Sequence, residues 1–177
     1  MPRFDYRGRI RVFITAATDF RQPLLADQAV AGYVARQLLR VARAQDVEVT
    51  AYCILKDHVH LLLTGESKTA HIPSAVARWK QRTGYWYRYQ RPDERGAHTR
   101  RVTRLWQRHY MDRVVRNESE TLAILRYIAS DPLRSGLVQR LEDYCWFGSD
   151  CWSRDDLIEM TSAREVPYWW PGGGARL

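Results

Sequence analysis

The chain is poor in cysteine, with three in 177 residues, and Cys53, Cys145 and Cys151 show no paired metal-binding spacing. This argues against a cysteine-clipped metal ribbon or a disulfide scaffold and predicts reduced, buried thiols. No apolar run approaches the roughly 20 residues that span a bilayer. The opening residues, MPRFD, lack the apolar core of a secretion signal. A soluble, cytoplasmic protein without membrane contact is therefore expected. Internal repeats are also missing. Acidic residues are outnumbered, 20 against 28 Lys and Arg, for a formal charge of +8. Arginine supplies most of that excess, and its planar fork suits phosphate and stacks on bases. A polyanion is one partner such a charge would capture quickly, although basic residues also serve solubility alone. The apolar share, 45%, is ordinary for a folded protein, and the length suits one domain with a real core.

Residues 9–18 alternate and are β-branched, which predicts a first strand. Asp27 is placed to cap a helix reaching Ala44, with Val30, Tyr33, Val34, Leu38 and Val41 along one side. Residues 47–55 and 58–64 predict two strands joined as a hairpin at Lys56-Asp57. A loop over 65–69 leads to a helix from about Pro73-Ser74 to Tyr89. Residues 91–104 are charged and aperiodic, which predicts a mobile loop. The second half of 105–116 suits a short strand. Asn117 and Glu120 have the spacing of a capping box for a further helix, and Pro132 should end that helix near Asp131. Short helical and looped pieces follow Gly136, with Trp146, Phe147 and Trp152 among them. The element order predicts an α+β domain built on one antiparallel sheet.

His58 and His60 are two apart on a predicted strand, so both imidazoles leave the same face. Side by side they can grip one divalent cation, or they can be half-exposed sheet residues. Tyr127 and Asp131, four apart near a helix end, share a helix face. Asp131 can complete a ligand set and Tyr127 can attack a phosphate one turn away. The plainer alternatives are a core aromatic and a helix-ending carboxylate. Arg78, Trp79, Lys80 and Arg82, with Tyr85 and Trp86, place a basic track and stacking rings on one helix. Half of those rings must face the sheet. Arg100, Arg101 and Arg104 form a second basic patch, or a solvated charge run.

Taken together, LKDHVHLLL (55–63), LWQRHYMDRVVR (105–116) and RYIASDPLRSGLV (126–138) resemble the REP-associated tyrosine transposases. That group lies within the insertion-sequence single-tyrosine transposases, whose nucleases carry a His-hydrophobic-His motif. WFGSDCW (146–152) fits less tightly, and the resemblance spans most of residues 6–152. It implies the HUH nuclease fold, a ferredoxin- or RRM-like antiparallel sheet with helices packed on one face. It also implies a domain over 1–152 and a C-terminal tail over 153–177. By that resemblance His58 and His60 are metal ligands for Mg²⁺ or Mn²⁺, Asp131 is the third ligand, and Tyr127 is the nucleophile. Asp131 departs from the pattern, because relatives generally carry Asn or Gln there; a carboxylate also binds hard cations, more strongly. Tyr110 is a rival nucleophile with no ligand one turn on.

The implied reaction nicks and rejoins single-stranded DNA at a hairpin through a covalent 5′-phosphotyrosine. The competing reading is a DNA-binding protein that no longer cleaves. An RNA-binding sheet domain would carry aromatics on its strands, where this chain carries histidines. A monomer is favoured by the resemblance, with a homodimer as the other arrangement.

Overall fold

The computed structural model describes residues 5–89 and 104–162. Its elements are β1 (Arg11–Ala17), α1 (Gln28–Arg43), β2 (Val47–Ile54), β3 (His58–Gly65), α2 (Ile72–Tyr89) and β4 (Met111–Val115), followed by α3 (Glu118–Arg134), β5 (Phe147–Gly148) and α4 (Arg154–Thr161). The five strands form one antiparallel sheet in the order β4-β1-β3-β2-β5. The first four have the ferredoxin-like arrangement, with α1 and α2 crossing between non-adjacent strands.

Local chemistry sets most of the boundaries. The Asp27 side chain accepts hydrogen bonds from the Ala29 and Val30 amides, at 2.9 and 3.2 Å, and starts α1. Asn117 does the same for α3 by accepting from the Glu120 amide at 2.8 Å. Glu120 reaches back to the Arg116 amide at 2.9 Å, one residue earlier than a capping box requires. Between β2 and β3 the chain turns on Lys56-Asp57, closed by the Leu55 amide on the His58 carbonyl at 2.8 Å.

Alternation along the strands divides the core in two. Val12, Ile14, Val59, Leu61 and Leu63 pack toward α1 and α2. Phe13, Ala51, Cys53 and Leu62 pack toward α3, against Ile124, Leu125 and Ile128. Each buried Val, Leu, Ile or Phe among them contributes roughly 1.5–3 kcal/mol. The helices therefore lie on both faces, which corrects the expectation of helices on one. The first core holds α1 and α2 as expected, but the second face is apolar along β3 and needs a cover of its own. Residues 153–162 include α4, whose Leu157 is fully buried in the second core. Of the thiols only Cys53 is buried; Cys145 and Cys151 are exposed.

Two further expectations change. Pro132 does not end α3, which runs to Arg134. A proline in the last turn forgoes one amide donor, yet that turn is closed from beyond. Leu137 N–H bonds to the Pro132 carbonyl at 2.9 Å and Gly136 N–H to the Leu133 carbonyl at 3.0 Å. Gly136 adopts φ +64, the left-handed conformation such a Schellman ending needs. Trp79, expected to stack on DNA, is a core residue instead. It is 1% exposed, lies 4.8 Å from the Trp106 ring, and donates its indole N–H to the Val34 carbonyl at 3.0 Å. Its i+3/i+4 position relative to Ala75 and Val76 turns it inward, and an indole of that size fills the space between α1 and α2.

Replacing Trp79 with Ala should cost about 3–5 kcal/mol of unfolding free energy by cavity formation. Arg78→Ala, next to it on the exposed side, should stay within about 0.5 kcal/mol. Urea titration of both variants checks the pair, and equal effects would contradict this packing.

Candidate metal and nucleophile site

β3 is the middle strand, and its alternation sends His58 and His60 out of the same face, toward α3. α3 presents Tyr127, Asp131 and Arg134 at successive turns. Asp131 Oδ2 lies 3.0 Å from His60 Nε2 and 3.4 Å from His58 Nε2. One donor atom from each of the three residues falls within 4.8 Å of the others. The Tyr127 ring stands 5.3 Å from the His60 ring and 6.0 Å, edge-on, from Phe13. Residues some seventy positions apart thus share one site.

The histidines are held from behind. His58 donates from Nδ1 to Asp57 Oδ1 at 2.6 Å, and His60 Nδ1 is hydrogen-bonded to Thr15 Oγ1 at 2.9 Å. Both Nδ1 atoms are therefore engaged, which leaves both Nε2 atoms to face Asp131. Pinning one imidazole nitrogen while the other ligates is the usual outer support of a metal site. Phe13 stacks on His60 with centroids 5.4 Å apart and limits its rotation. On the other side Arg134 donates to Asp131 Oδ1 at 2.8 Å and lies over the Tyr127 ring, 4.4 Å from its centroid. Such a cation–π contact orients the ring and places positive charge beside it.

The charges follow from this arrangement. Burial opposes ionisation of Asp131, but hydrogen bonds from His58, His60 and Arg134 outweigh it and hold the carboxyl well below the usual range. Burial also disfavours the His58 cation, yet hydrogen bonds to Asp131 and Asp57 prevail and raise its pKa. His60 is almost fully buried, and that desolvation lowers its pKa. The hydrogen bond from His58 lowers the pKa of Asp57. An anionic carboxylate facing two imidazole Nε2 atoms is a donor set that a divalent cation fits, with the cation taking the place of the Nε2 protons.

The expected ligands and nucleophile thus come together, whereas the expected DNA contacts lie elsewhere. Arg78 and Arg82 are exposed on α2, across the sheet from Tyr127. Lys80 is committed to the backbone, donating to the carbonyls of Gln107, Arg108 and His109 at 2.8, 3.4 and 3.2 Å. Arg104 is exposed beside the C-terminal half of α2. Arg100 and Arg101 lie outside the described residues. Tyr110 packs against the core on the α1/α2 side, which separates it from the histidines. Sequence reasoning missed Asp57, Thr15, Phe13 and Arg134. Asp57 looked like a turn residue, and only the seven-residue step from Tyr127 marked Arg134.

Mn²⁺ should bind saturably in calorimetry and raise Tm, with a gain of about 2.7 kcal/mol at a hundredfold excess over Kd. His60→Ala should abolish that gain, and Asp57→Asn should weaken affinity by roughly 10- to 100-fold with the fold intact. A wild-type chain indifferent to Mn²⁺ would exclude the cation site.

A Haemophilus influenzae protein assigned as a REP-associated tyrosine transposase is 28% identical over 98 residues, 55% of this chain and 56% of the relative. The aligned part therefore spans little more than half of that relative's length. The structure of a REP-associated tyrosine transposase bound to a REP hairpin superposes with a TM-score of 0.71 at 19% identity, covering 100% of this chain and 97% of the other. That likeness establishes the fold. The family described as "Transposase IS200 like" matches residues 8–131, which include both histidines, Tyr127 and Asp131. The chain belongs to the IS200-like transposases, a family of DNA-transposing proteins.

Proposed function

We propose that the protein nicks and rejoins single-stranded DNA beside a REP-type hairpin, with Tyr127 as nucleophile. The observation that carries this reading is the convergence of Tyr127 on His58, His60 and Asp131, with Arg134 bonded to Asp131 and stacked on Tyr127. His58, His60 and Asp131 would hold Mg²⁺ or Mn²⁺, which polarises a phosphate and offsets the charge that develops on it.

Phe13 and Arg134 hold the Tyr127 ring between them, so the hydroxyl is presented with little rotational freedom to lose. The Arg134 guanidinium offers hydrogen bonds to a phosphate brought to that hydroxyl. A neutral phenol is a weak nucleophile, so the hydroxyl proton must pass to solvent as attack occurs. The Tyr127 oxygen then bonds to phosphorus, and the bond to the 3′-oxygen breaks. That oxygen departs with the electron pair and becomes a 3′-hydroxyl on taking a proton. The 5′-phosphate stays joined to Tyr127 until another 3′-hydroxyl reverses the step. No external energy source is needed, since one phosphodiester replaces another. The exposed Arg78, Arg82 and Arg104 supply positive charge for the DNA backbone. The working unit in this reading is a monomer.

A second reading, a DNA-binding relative that does not cleave, is favoured by one observation. The Asp131 carboxylate, at a position where the resemblance implies an amide, is already satisfied by two histidines and Arg134. Incubation with labelled single-stranded hairpin DNA and Mn²⁺ decides between them. A covalent adduct lost in Tyr127→Phe and in EDTA is expected. An adduct that survives Tyr127→Phe would move the nucleophile to Tyr110, and tight binding with no adduct would leave the non-cleaving reading.

A further inference from the structure

The sheet end that carries His58 is also the end where α2 finishes. There α2 and residues 104–106 enclose a groove of about 340 Å³. Tyr85 and Tyr89 stand on its rim, 57% and 61% exposed, with ring centroids 4.9 Å apart. Arg88 lies over the Tyr89 ring at 5.0 Å, and Arg104 faces them. Residues 72–89 and 104–111 contain no Asp or Glu at all. A groove with flat rings, arginines and no acid among its described lining residues suits an anionic ligand with flat faces.

The opposite wall is held by hydrogen bonds. The Trp106 indole donates to Thr83 Oγ1 at 2.8 Å, and Lys80 fastens Gln107 through its carbonyl. Trp106 also bridges to Thr18, whose amide and hydroxyl both bond to the Asp57 carbonyl at 2.8 and 2.9 Å. Asp57 in turn holds His58. A short run of hydrogen bonds therefore joins the groove to the metal residues.

Between the two sits an unusual turn, Asp19–Arg21. Phe20 and Arg21 both adopt left-handed backbone, φ 53 and 51, which bulky L residues avoid. The turn is over-determined: the Asp19 amide bonds to the Leu105 carbonyl at 3.0 Å, and the Thr18 hydroxyl to the Gln22 carbonyl at 2.6 Å. The outcome is a phenyl ring 83% exposed, with Arg21 beside it paired to Asp57 at 3.3 Å. A strained backbone that puts an apolar ring into water does nothing for the core.

We propose that Phe20, Tyr85 and Tyr89 form one stacking track for the unpaired nucleotides next to the scissile phosphate, leading from the α2 groove across the sheet end to His58. The occupant is single-stranded DNA, chosen by charge complementarity and by the link to the metal residues. The inference rests on the nuclease reading above, but only on its DNA-binding part. The track reads stacking and backbone charge, so its contribution is tolerant of base identity.

The test compares two fluorescein-labelled DNAs, a blunt hairpin and the same hairpin with an unpaired flank of about eight nucleotides, by anisotropy. Wild type should prefer the flanked form. Phe20→Ala should cut that preference by about tenfold, and Tyr85→Ala/Tyr89→Ala together by about a hundredfold. Phe20→Gly, which relaxes the turn while removing the ring, should behave like Phe20→Ala, and Phe20→Trp should keep the preference. 2-Aminopurine in the flank should be quenched by wild type and not by Phe20→Gly. Variants that keep the full preference, or a wild type with none, would overturn the track while DNA binding stood. A wild type that binds neither DNA would overturn the nuclease reading as well. Tighter binding of an RNA flank would overturn the assignment to DNA.

Discussion

β3 lies between β1 and β2 and is covered on both faces, and the rest of the molecule is arranged around that requirement. Val59, Leu61 and Leu63 take one face, and α1 and α2 cover them. Leu62 takes the other with Phe13 and Cys53 beside it, and water must be kept off that patch too. α3 does this with Ile124, Leu125 and Ile128. His60 leaves the sheet on the same side as Leu62, so the helix that seals the apolar patch also delivers Tyr127 and Asp131 to the imidazoles. The site is in this sense a by-product of covering the second face, with polar residues placed where the apolar cover ends.

Polar groups at such a boundary need partners, and the partners found there define the chemistry. An unpaired carboxylate as buried as Asp131 would be costly. Two imidazoles and Arg134 satisfy it, and Asp57 and Thr15 satisfy the imidazoles in turn. The same network leaves a set of donors that a divalent cation can take over by displacing protons. Arg134 joins this network to the nucleophile, since one guanidinium touches both Asp131 and the Tyr127 ring. Extension of α3 past Pro132 is what allows it, because a helix ending at Asp131 would leave Arg134 without a fixed direction.

Much of this was legible beforehand. The caps at Asp27 and Asn117, the hairpin at Lys56-Asp57 and the shared face of His58 and His60 are short-range features, decided within a few residues. Trp79 and Pro132 depart from their local expectation for a common reason. An indole on a basic helix and a proline near a helix end each have two local solutions, and distant partners choose between them: Val34 and Trp106 for the first, the backbone around Gly136 for the second. Phe20 carried no signal, since nothing in the sequence around it announces a left-handed backbone.

The sequence by itself determined the strand and helix order, the capping, the excess of arginine and the two constellations, His-x-His and Tyr-x-x-x-Asp, whose members lie within four residues. Local periodicity is enough for these, because a strand or helix aligns its own side chains. Only the tertiary structure decided that the two constellations meet, that α3 covers the face opposite α1 and α2, and that Asp57, Thr15 and Arg134 complete the site. It also decided which rings of α2 are buried and which face water. Those outcomes depend on contacts between residues tens of positions apart, where the burial of two separate apolar faces sets the geometry.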